Sequence, residues 1–121
     1  MKKIEFKIPI YDYEVTFIEI DSKSDKEEVV DEMISFGCRI EDIRNIERYV
    51  ELEYTNGGDT FRNMDKKHFL VVISPCTSEE IRRDVVNHEK RHIEDRLLEW
   101  IGIQDIEASA YIAGYLSRYI Y

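Results

Sequence analysis

Residues 88–92 read His-Glu-Lys-Arg-His and hold two of the chain's three histidines. On an α-helix, His88 and His92 stand one turn apart, about 6 Å along the axis, with both imidazoles leaning the same way. Two ring nitrogens so placed reach one metal ion at about 2.0–2.1 Å. Glu89 lies roughly 100° around the helix from His88, next to the ion's position, where it can take a proton from an ion-bound water. The chemistry this allows is hydrolysis by metal-activated water. A plainer account competes with it: N-H-E-K-R-H-I-E-D-R as the solvated face of a charged helix, with the histidines flanking an apolar stripe. In that account Arg91 and Asp95 form an i,i+4 pair worth about 0.2–0.5 kcal/mol.

Several elements must position these residues. The spacing predicts a helix over about 79–101, capped by Thr77 with Glu80 three places on, or by Ser78 one place later. Ile81, Val85, Val86, Glu89, Ile93, Leu97, Trp100 and Ile101 lie on its broadly inward side, and Gly102 is placed to end it. Before it, HFLVVIS at 68–74 is the most apolar strand in the chain, expected at the centre of a sheet and closed by Pro75. Ile4, Phe6, Ile8 and Ile10 alternate with polar neighbours, and Val15, Phe17 and Ile20 continue the pattern. One bent strand or two short ones follow, with Pro9 near an edge. Ser22 or Ser24, the latter with Glu27, caps a helix carrying Val29, Val30, Met33 and Ile34 that stops at Gly37. The later part of 45–54, NIERYVELEY, fits a strand, and Asn56-Gly57-Gly58-Asp59 a hairpin turn. Asp105 caps a last helix with Ile106, Ala110, Ile112, Ala113, Leu116 and Ile120. The expected fold is α+β: one domain over residues 1–121, with a three- or four-stranded sheet, one helix before its central strand and two after it.

His-Glu-Lys-Arg-His at 88–92 resembles the active-site helix of the zincin metallopeptidases. Together with Glu-Ala-Ser-Ala-Tyr at 107–111 it is similar to small, uncharacterised zincin-like proteins encoded by phages and other mobile elements. The resemblance covers mainly residues 68–120. It implies Zn2+ held by His88, His92 and, as in the glutamate-type (gluzincin) branch, Glu107. It also implies Glu89 as general base and Tyr111, one turn after Glu107, as an oxyanion-stabilising or supporting group. Ile93, Glu94 and Asp95 follow His92, which excludes the metzincin extension. Lys90 and Arg91 depart from the usual uncharged pair and are expected to point away into solvent. Two strictly antiparallel helices would set Glu107 beside Trp100, about 12 Å from His92 along the axis. An earlier helix end, a steep crossing or a partner subunit would close that gap.

Composition narrows the partners. With 17 basic and 26 acidic side chains the net charge is −9, a field that repels nucleic acid and anionic membranes. No apolar run approaches the roughly 18 residues of a membrane span, and the opening MKKIEFKIPIYDYE has no apolar leader, so a cytoplasmic setting is expected. Cys38 and Cys76 form no CxxC and read as buried free thiols. His68 would join the site only if it faced the helix; a surface position is the plainer account. Tyr111, Tyr115 and Tyr119 recur every four residues, a spacing that suits packing or a homodimer face. Two functions follow: a minimal zinc hydrolase acting on a protein or peptide substrate, or a non-enzymatic interaction module retaining the helical motif.

Overall fold

The computed structural model describes residues 1–9, 11–101 and 106–121, and the side chains of all of these except 100, 101, 106 and 107. Four strands, β1 (Lys2–Ile8), β2 (Tyr13–Glu19), β3 (Gly58–Asn63) and β4 (His68–Ile73), form one mixed sheet in the order β1-β2-β4-β3. Four helices flank it: α1 (Lys26–Phe36), α2 (Ile40–Glu51), α3 (Glu79–Ile101) and α4 (Ile106–Leu116). The α+β class and the placing of the histidine-bearing helix directly after the central strand are as the sequence predicts.

β4 is central because five successive apolar side chains, Phe69 to Ile73, are buried and both its edges are paired. It runs parallel to β2, so Val15 and Phe17 lie beside Phe69 and Val71 on one face. That face, with Ile8 and Tyr13, packs on Val86, Ile93 and Leu97 of α3 and on Ile112 and Leu116 of α4. The opposite face, with Ile18, Leu70 and Val72, packs on Val29, Met33 and Phe36 of α1 and on Ile46 and Val50 of α2. Parallel neighbours need a crossover, and α1, α2 and β3 all lie in the connection between β2 and β4. β1 is an edge, antiparallel to β2. It turns Ile4 and Phe6 inward and leaves Lys3, Glu5 and Lys7 in solvent, a charged face that discourages edge pairing.

Three expectations are corrected. Residues 45–51 are helix rather than the approach to a strand: Ile43, Ile46 and Val50 recur at helical spacing and all meet the same core face. Two helices therefore precede β4, not one. Asn56 to Asp59 is not a hairpin turn, because it joins α2 to β3; the hairpin is formed instead by Met64 to Lys67, where the Asn63 side chain accepts the Lys66 amide at 3.2 Å. Of the two serines expected to cap the first helix, Ser22 does so: it begins a 3-10 turn, Lys23–Asp25, that leads into α1. The Asp25 carboxylate returns to accept the amides of Asp21 and Ser22, so the capping box is Ser22 with Asp25 rather than Ser24 with Glu27. Gly37 ends that helix at φ 96°, in the left-handed conformation a glycine adopts without strain. Ser78, accepting the Ile81 amide at 3.1 Å, caps α3, while Thr77 is held by Asn56. Gly102 and Asp105, the expected caps between α3 and α4, lie outside the described residues.

The first turn of α3 is tied to the sheet and to the chain's last residue. Arg82 makes a two-point ion pair with Glu19 at 2.7 and 2.8 Å and donates a third bond to the Tyr121 carbonyl at 2.9 Å. The guanidinium holds the Glu19 carboxyl below its usual range. Among the described residues no helix is long and apolar enough to cross a membrane.

His68 turns to the α1 side of the sheet, edge-on to Phe36 at 5.0 Å, and shares a 2.7 Å hydrogen bond with Thr16. Desolvation pushes its imidazole below the ordinary range, outweighing the attraction of Glu14. The unfolded chain therefore binds the proton more readily, so this contribution is complete above about pH 6.5 and is lost as pH falls through that value toward the depressed native one. Urea unfolding at pH 7.5 and 5.5 should show lower stability at the acid value. His68→Gln should shrink that difference; an unchanged difference would assign it to other groups.

Candidate metal centre

α3 carries the constellation, and β3 seats it. The Nε2 atoms of His88 and His92 converge to 3.0 Å, with their rings edge to face at 4.6 Å between centroids. Ligand atoms of His88, Glu89 and His92 all lie within 4.8 Å of one another. One turn of helix has brought two imidazoles to a separation that a single ion at about 2.0–2.1 Å from each can bridge.

Glu89 differs from the histidines in burial. His88 is exposed and His92 half-buried, whereas Glu89 is only 2% exposed. A carboxylate taken this far from water needs partners. The Thr60 hydroxyl, on β3, lies 3.2 Å from Oε1 and 3.5 Å from the Glu89 carbonyl oxygen. Oε2 is buried and has no hydrogen-bond partner among the described residues. Such an atom at the edge of two convergent imidazoles fits a site that receives a cation or its water. The donor set, two imidazoles and one carboxylate, suits zinc and its neighbours in the transition series better than magnesium or calcium.

The seat depends on a missing side chain. A Cβ on Gly58 would stand 2.8 Å from Ile73 Cδ1, 3.0 Å from Glu89 Cγ and 3.2 Å from Val85 Cγ1. Gly58 thus lets β3 approach α3 closely enough for Thr60, two residues on and on the same face, to reach Glu89. Reading Asn56-Gly57-Gly58-Asp59 as a turn missed this role. A glycine at a strand's start in an otherwise turn-like tetrad was the available signal, and it marks close approach of another element.

The intervening cations leave the site clear. Lys90 turns toward α4, donating to Ser117 Oγ at 3.2 Å and the Ile120 carbonyl at 3.1 Å, rather than into solvent. Burial lowers its pKa from the usual lysine range. Arg91 is exposed and pairs with Asp95 at 3.3 Å, the expected i,i+4 contact. A half-open groove of about 520 Å3 between α3 and α4 has His88 on its lining, with Asp84, Arg91 and Glu94. Glu94 is buried and its carboxyl is raised, chiefly by desolvation.

The side chain of Glu107, the expected third ligand, lies outside the described residues. Tyr111 is exposed and belongs to an aromatic ladder: its ring is 6.3 Å from Tyr115, which is 5.5 Å from Tyr119, which stacks on Phe6 at 4.4 Å. Phe6 is on β1, at the opposite edge of the sheet from Thr60, so the described contacts tie Tyr111 to that ladder and not to Glu89. Cys38 and Cys76 are free thiols, as expected, but half-buried. Burial pushes the Cys38 thiol up to about 12.

Replacing Gly58 with Ala should cost about 1–3 kcal/mol in urea unfolding by overpacking the β3–α3 contact. Thr60→Val should cost about 1–3 kcal/mol by leaving both Glu89 oxygens unpartnered, with Thr60→Ser restoring most of it. Equal stability of the Val and Ser variants would remove the hydroxyl from the account.

No family model, curated protein or solved structure matches the chain. The metal-binding reading therefore rests on its own residues.

Proposed function

We propose that this chain is a minimal zinc-dependent hydrolase acting on peptide bonds, with His88 and His92 as metal ligands and Glu89 as general base. The observation that carries the reading is Glu89 itself, a buried carboxylate with one oxygen beside a threonine and the other without a partner among the described residues, next to two converging imidazoles. A bound ion would supply Lewis-acid polarisation of the scissile carbonyl and an acidified water. The protein's part is the remainder. Thr60 fixes Oε1, so the carboxylate presents Oε2 to the water as proton acceptor. The same carboxyl then returns the proton to the leaving amine. With Lys90 drawn to α4, its positive charge is held by Ser117 and the Ile120 carbonyl rather than offered to the ion. Glu107 is proposed as the third ligand on the strength of the gluzincin resemblance alone. A peptide substrate is supported by β3, an edge strand beside Glu89 that can pair with an extended segment.

A second reading has an observation of its own. His88 and His92 meet at hydrogen-bond distance, so their orientation is explicable without an ion. The chain would then be a non-enzymatic interaction module, with Tyr111 at the exposed end of the aromatic ladder as its contact or homodimer point.

Mass spectrometry of protein purified without chelator or immobilised metal separates the two, run beside His88→Ala/His92→Ala. About one zinc per chain, lost in the double variant, is expected. Glu89→Gln should then keep the metal and lose peptide hydrolysis. Absence of bound metal, together with no rise in melting temperature on adding zinc, would sink the hydrolase and leave the interaction module.

A further inference from the structure

A second site lies on the other face of the sheet. A cavity of about 590 Å3 opens at the carboxyl ends of β2 and β4, lined by residues that follow each strand, Ile20 to Ser24 and Ser74 to Pro75. The chain leaves these parallel neighbours toward opposite faces, from β2 into α1 and α2 and from β4 into α3. In α/β sheets the crevice beyond such a divergence is where ligands bind, and the volume falls within the range of about 300–1,000 Å3 common for small-molecule sites.

The lining has a definite chemistry. Buried Ile46, Val50 and Val72 contribute apolar surface, and the rings of Tyr49 and Tyr54, 5.4 Å apart and tilted by 44°, add aromatic surface that is 39% and 55% exposed. The lining carries three carboxylates. Asp21 pairs with the Met1 amino group at 2.9 Å, and Glu53 with Lys23 at 3.5 Å. The side chain of Asp59, a residue whose backbone pairs with β4, makes no ion pair or hydrogen bond among the described residues. The side chain is solvent-exposed, and partial desolvation, then the carboxylates of Glu89 and Asp42, raise its carboxyl above the usual range against the pull of His92. Asp59 follows Gly58 on β3, so its side chain falls on the face opposite Thr60, with Phe61 of the α1–α2 core two residues on. A solvent-exposed carboxylate with no side-chain partner among the described residues thus lies on the lining of an apolar, tyrosine-lined cavity.

We propose that this cavity binds a small organic cation, with its aromatic or apolar body against Tyr49, Tyr54 and Val50 and its ammonium group paired to Asp59. Tyrosine faces attract cations through the ring quadrupole, and the carboxylate supplies the charge that the lining lacks a partner for. An anion of the same shape meets three acidic groups and one engaged lysine. The cavity lies on the opposite face of β3 from His88 and His92, although Glu89 and His92 still act electrostatically on Asp59.

Two probes of equal shape and opposite charge test the assignment: tryptamine and indole-3-propionate, titrated into 15N-labelled full-length protein and followed by amide shifts. Tryptamine should shift residues of 20–24, 46–59 and 72–75 and bind roughly tenfold more tightly than the anion. Asp59→Asn, with an unchanged melting profile, should erase most of that preference. Tyr54→Ala should weaken both probes, by reducing the shared aromatic surface. Equal binding of the two probes, a preference that survives Asp59→Asn, or no shift at millimolar concentration would overturn the proposal. So would self-association in sedimentation that buries Tyr49 and Tyr54, which would make the cavity an interface between copies.

Discussion

The parallel pairing of β2 with β4 is the constraint on which the other elements depend. Two parallel strands side by side cannot be joined by a turn, so the chain must travel over the sheet between them. It does so through α1 and α2, which cover one face and leave the other to α3 and α4. Both strands are then buried on two sides, which is why β4 is an unbroken apolar run instead of an alternating one. β3 has only the remaining edge of β4 to occupy. That placement sets Gly58 and Thr60 against the histidine-bearing helix.

The legible parts of the fold were those with local causes. β4 announced itself by apolar content, α3 by its caps and period, and the end of α1 by Gly37. The histidine pair was legible because one helical turn determines its geometry whatever surrounds it. What escaped was governed by contacts distant in sequence. Ile46 and Val50 fit a strand or a helix on short inspection, and it is packing on β2 and β4 that selects the helix. Gly58 looked like a turn residue because the sequence does not reveal that Glu89, thirty-one places on, lies against its Cα. Lys90 looked solvent-bound because its acceptors, Ser117 and the Ile120 carbonyl, belong to a helix end that only the tertiary structure brings near.

Charge on α3 is sorted by destination. Arg82 is held by Glu19, Lys90 by the end of α4 and Arg91 by Asp95, each drawn away from the imidazoles. The buried carboxylate, by contrast, has one weakly polar neighbour in Thr60. A helix with this many charges has no clear amphipathic stripe. Its inward side is nevertheless well defined, with Val86, Ile93 and Leu97 buried alongside Glu89.

The sheet's connectivity also orders events in time. Thr16 and His68 meet across 52 residues of sequence, whereas β1–β2 and β3–β4 close through short hairpins. Distant pairings of this kind carry the larger loop-closure entropy and form late in folding. α3 as an isolated helix can display His88 and His92, but the seat for Glu89 needs β3 already paired and docked. A nascent or partly unfolded chain therefore holds the two imidazoles without the seated carboxylate, and the complete constellation arrives only with the native state.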